Sequence, residues 1–69
     1  MSDFITFRDV EAINSYGFTL LCRVDGKKVW VPYANMMRAE GTVRGPGDCG
    51  RLTVPLWLAL NLGLLQRAA

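Results

Sequence analysis

Six acids, two cysteines and no histidine limit what this chain can catalyse. Asp9 and Glu11, two apart, would share a strand face, a spacing that could seat a metal. Paired carboxylates on an exposed strand are more often simply solvated. Asp25 and Asp48 fall in turn sequences, where Asp is favoured for backbone reasons. Without histidine, a nucleophile would have to be Cys49 or a lysine-activated Ser2 or Ser15, and neither serine lies in a recognisable motif. Thr42-Val43-Arg44-Gly45-Pro46-Gly47 is glycine-rich but lacks the Lys-Ser/Thr ending of a phosphate loop. There is no Cys-x-x-Cys pair to hold zinc. The expectation is a chain that is not an enzyme, with no catalytic residue, no cofactor and no metal.

Binding chemistry is harder to dismiss. Arg23, Lys28, Trp30 and Leu21 are expected on one face of a hairpin, and basic groups beside an exposed aromatic suit single-stranded nucleic acid. Arg38, Arg44 and Arg51 surround the glycine-rich stretch and would extend the track. The favoured alternative packs Trp30 under a C-terminal helix, with basic side chains snorkelling around it. A formal charge of +2 permits nucleic-acid contact without arguing for it.

A second candidate surface is the run from Val54 to Leu65, in which only Asn61 has a polar side chain. An amphipathic surface helix would keep a polar face. Either this segment is buried within its own sheet, or a partner covers part of it, since exposed apolar patches mark interaction sites. A homodimer is the simplest cover. The expected protein-binding anchors are Trp57, Leu58 and Leu62, with Trp30 as a second contact.

The elements that must position these residues follow from local pattern. Residues 4–14 change apolar phase between Phe7 and Val10, which suggests a bulged strand or two short ones. Phe18–Val24 and Lys27–Tyr33 flank Asp25-Gly26, the pair favoured in a two-residue type I′ hairpin. That loop sets Val24 opposite Lys27, Cys22 opposite Val29, Leu20 opposite Val31 and Phe18 opposite Tyr33. Pro32 marks a strand end or an edge. A helical turn is expected over residues 35–40, and a type II turn over Gly45-Pro46-Gly47-Asp48. Arg51–Val54 alternates, with Leu52 and Val54 on one side. Pro55 opens a short helix and Gly63 stops it. The sum is mainly β (α+β), a single domain over residues 1–69. It has four or five short strands in a small bent sheet or partial barrel, capped by one short C-terminal helix.

Hydrophobic residues make up 51% of the chain and charged residues 20%, which places it among globular chains. Val54–Leu65 falls short of the roughly 20 apolar residues of a spanning helix. Met1-Ser2-Asp3-Phe4 has no basic region ahead of an apolar stretch, so a cytoplasmic chain with no membrane contact is expected. Reduced thiols are then the default, with Cys22 a small core residue and Cys49 an accessible loop thiol.

Val54-Pro55-Leu56-Trp57-Leu58-Ala59, continuing to Asn61-Leu62, resembles the segment of GINS replication-complex subunits where a small β-domain meets a helical domain. A wider pattern resembles small phage and bacterial β-domains. It runs from Val24-Asp25-Gly26-Lys27-Lys28-Val29-Trp30-Val31-Pro32, through Gly47-Asp48-Cys49-Gly50-Arg51-Leu52, to the same Val54–Ala59 segment. Both likenesses imply a compact β-module used for docking near DNA-processing machinery, and neither carries a catalytic residue across. The leading reading is a non-catalytic protein–protein interaction module, docking on itself or on another protein as an inhibitor or accessory. The alternative is a small single-stranded nucleic-acid-binding domain using Arg23, Lys28, Trp30, Arg44 and Arg51.

Overall fold

Asp25-Gly26 fixes the register of the sheet. In the computed structural model, which describes residues 3–37 and 39–65, both residues have positive φ, 50° and 81°. These are the values a type I′ loop demands, and glycine reaches them without a steric cost. The loop joins β2 (Thr19–Val24) to β3 (Lys27–Pro32). The pairs Val24–Lys27, Cys22–Val29 and Leu20–Val31 form as the sequence predicts. Beyond the strands, Tyr33 N–H donates to the carbonyl of Phe18 at 2.9 Å, continuing the ladder by one pair.

The phase change near the start of the chain is a bulge. Strand β1 (Phe4–Tyr16) is one continuous strand of 13 residues. Its register against β4 (Cys49–Pro55) shifts between Phe7 and Val10, and Asp9 sits at the shift with φ 57°. One extra residue exchanges the faces. Ile5 and Phe7 lean on the core before the shift, and Val10 and Ala12 are buried after it. A second shift against β2, between Ala12 and Asn14, exchanges the faces again and leaves Ser15 opposite Leu20.

The strand order is β3-β2-β1-β4, antiparallel throughout. The sheet is open and does not close into a barrel. Closure would require β3 and β4 to pair. The outer edge of β4 is instead occupied by a strap of Met37, Thr42 and Val43. Met37 N–H donates to Thr53, and the N–H groups of Thr42 and Val43 both donate to Arg51, at 2.8–3.0 Å. Gly50 leaves room for this strap, because a Cβ there would collide with Thr42 Oγ1. The helical turn expected over 35–40 forms earlier, as a 3-10 turn at Tyr33–Asn35. Arg38 and Ser2 lie outside the described residues.

Helix α1 (Leu56–Asn61) packs on one face of the sheet, against β4 and β1, through the buried Leu58 and Ala59. Pro55 stands just before it as the N-cap, one position earlier than predicted. The stop at Gly63 is a Schellman arrangement, with Gly63 N–H on Leu60 and Leu64 N–H on Ala59. Lys27 Nζ adds a bond of 2.8 Å to the Gly63 carbonyl. Leu58 and Ala59 of α1 join Val10, Ala12, Leu20, Cys22, Val24, Val29, Val31, Val43, Leu52 and Val54 in one core.

Candidate interaction surfaces

The sheet face opposite α1 is bare over β1, β2 and β3. Alternation and register order its side chains in rows. Cys49, Glu11, Arg23 and Lys28 form one row, Asn14, Leu21 and Trp30 the next, and Tyr16, Thr19 and Pro32 the third. Arg23, Lys28, Trp30 and Leu21 therefore share a face, as the hairpin register requires. Trp30 does not pack under the helix. Val29 and Val31 are buried in the core, and a residue between them must point the other way.

Trp30 remains 45% exposed and Tyr16 60%. Their rings meet edge to face, with centroids 5.4 Å apart and planes at 67°. Tyr16 is the residue that sequence reasoning missed, because Tyr16-Gly17 reads as an interruption. Treating Gly17-Phe18 as a two-residue loop would have placed Tyr16 opposite Thr19, across β2 from Trp30.

The polar groups of this face are largely engaged with one another. Asn14 Nδ2 donates to Tyr16 Oη at 3.1 Å, and Asn14 Oδ1 accepts from Ser15 N–H at 2.8 Å. Thr19 Oγ1 donates to the Tyr16 carbonyl at 2.8 Å. Arg23 Nη1 meets Glu11 Oε1 at 2.9 Å, with both side chains about half exposed. Such a surface pair contributes little stability, but it neutralises the one acid in the centre of the face.

Arg44 and Arg51 stand apart from this cluster, at the β4 side. Arg51 Nε donates to the Glu40 carbonyl at 3.3 Å, which draws the guanidinium toward the strap. Arg44 belongs to the turn over Gly45-Pro46-Gly47-Asp48, which Asp48 N–H closes on the Gly45 carbonyl at 3.1 Å. Asp48 Oδ2 accepts from the backbone N–H groups of Arg44 and Gly45, both at 2.9 Å. These bonds to the ionised form, the one from Arg44 first, hold its carboxyl below the usual carboxylate range.

The second surface is the outer side of α1. Trp57 is 55% exposed. Asn61, one turn on, is exposed as well, while Leu56 and Leu60 are half-buried. Leu58 is only 7% exposed and belongs to the core, and Leu62 is half-buried against it. Of the anchors expected on this segment, Trp57 alone is presented to solvent.

The thiols face opposite ways. Cys49 neighbours Glu11 on the bare face, whereas Cys22, opposite Ala12, is buried in the core. Burial pushes the Cys22 thiol from its ordinary 9.0 to about 11. With the sheet between them the two cysteines form no bridge. Among the described residues, no group of three or more metal-ligating side chains converges, and no helix is long and apolar enough to cross a membrane. No family model, curated protein or solved structure matches the chain.

Proposed function

We propose that the chain is a non-catalytic protein-interaction module that docks through the outer side of α1, with a second copy of itself as the first occupant. Trp57 carries this reading. It is a large aromatic left more than half exposed on a helix whose other side is core. Tryptophan is enriched among the residues that dominate interface energies. The half-buried Leu56 and Leu60 supply the apolar surround that excludes water around such an anchor. A two-fold contact brings this patch against itself, the commonest way for a small chain to cover an apolar surface.

Sedimentation equilibrium from micromolar to millimolar protein tests the reading. The expected result is a concentration-dependent dimer, lost or weakened at least tenfold in Trp57→Ser. The variant should keep its circular dichroism spectrum, because the ring supports no core residue. A chain that stays monomeric throughout, or a dimer indifferent to Trp57→Ser, overturns self-docking through α1.

A further inference from the structure

The bare sheet face has a different chemistry from the α1 surface. Its rings, Trp30 and Tyr16, stand beside cations and not beside aliphatic side chains alone. Glu11 is taken by Arg23. Lys28, next to Arg23 across the hairpin, makes no ion pair among the described residues. The centre of the face therefore carries net positive charge next to two exposed rings. We propose that this face binds single-stranded nucleic acid, with bases stacked on Trp30 and Tyr16 and phosphates held by Lys28 and Arg23.

Charge complementarity selects this occupant. A protein surface packed here would bury Lys28, and charged residues are depleted from interface cores. A polyanion carrying flat rings uses both halves of the face. Base–aromatic stacking tolerates any base, because every base has a π-face. The polar side chains point the same way. Asn14 spends both ends of its amide within the fold, and Thr19 Oγ1 is committed to the Tyr16 carbonyl. That leaves few groups to read base edges. Binding is therefore expected to be indifferent to sequence and to prefer single strands, whose bases are free to stack. Trp57 lies across the core from this face, so the inference stands apart from docking through α1.

The test uses Trp57→Phe, in which Trp30 is the sole tryptophan, titrated at low salt with a short oligothymidylate. Saturable quenching of Trp30 fluorescence is expected, weakening with salt by a log–log slope of about −0.7 for each phosphate neutralised. Lys28→Glu should weaken binding at least tenfold, and Tyr16→Ser by about tenfold. A duplex of the same length should bind more weakly, and oligoadenylate about equally. Three results overturn the proposal: no quenching by the oligothymidylate while the protein remains folded, binding unmoved by salt and by Lys28→Glu, or equal quenching by polyglutamate. The last would mean that the face senses charge without stacking. Because Trp57 is already replaced, failure of the α1 interface leaves the outcome unaffected.

Discussion

Single residues decide how the β4 side of the molecule responds to pH. Asp48 closes its turn with a carboxylate that accepts two backbone N–H groups, and those bonds depress its titration. In the unfolded chain the group titrates near the ordinary aspartate value, about 3.9. A depressed native value means that the unfolded state binds protons first as pH falls. The contribution is complete above the unfolded value and disappears as pH falls through the native one. Thermal melts of the wild type and Asp48→Asn should therefore differ most near neutral pH and converge only as pH falls through the depressed native value. Asparagine can still accept both bonds, so the difference isolates the charge. A constant offset across the whole range would assign the turn's stability to geometry alone. The same residue shows what sequence reading reaches. A turn with Pro46 and Gly47 at fixed offsets is legible. That the Asp48 carboxylate folds back on Arg44 and Gly45 is not, because Asp at the end of a turn has several places to bond.

At the scale of elements, the β2–β3 hairpin was legible pair by pair, because one loop geometry fixes every later partner. The bulged strand was legible as a change of phase but not as a single element. Only pairing with both β2 and β4 shows that its shifts return the same face to the core. Helix α1 was legible in its limits and illegible in its faces. Leu56, Trp57, Leu58 and Leu60 are equivalent to any apolar pattern, and the sheet alone chooses among them. That choice is testable. Leu58→Ala should cost about 2–5 kcal/mol in chemical denaturation, the range for a large-to-small change in a packed core. Trp57→Ser should cost about 1 kcal/mol or less in the monomer, as an exposed position does. Comparable losses from the two would mean that the helix sits rotated about its axis.

For the whole molecule, the accessible surface of 4626 Å² is close to the roughly 4,300 Å² of a folded protein of 7.7 kDa. Val54, Leu58 and Ala59 are buried in the chain's own core, so the apolar content of Val54–Leu65 does not by itself demand a partner, and what invites docking is the placement of particular rings. An open sheet nevertheless has two edges, each a template for unwanted pairing. The strap of Met37, Thr42 and Val43 seals β4. On β3, the bond from Tyr33 N–H to Phe18 shows that odd-numbered positions turn their backbone groups toward β2. Even-numbered positions, Lys28, Trp30 and Pro32, therefore turn theirs outward. Pro32 has no N–H to offer there, and Lys28 places a charge that a copy of the same strand would have to meet. These two residues guard the edge in different ways, one by deleting a donor and the other by repulsion. Replacing both, Pro32→Val with Lys28→Thr, restores a regular outward ladder with strand-forming side chains. Sedimentation velocity of that variant, with Trp57→Ser added to disable α1, should show association through β3 that neither edge substitution produces alone. If the combined variant sediments as a monomer at every concentration, the edge is protected by its shortness and twist, and Pro32 and Lys28 are not its guards.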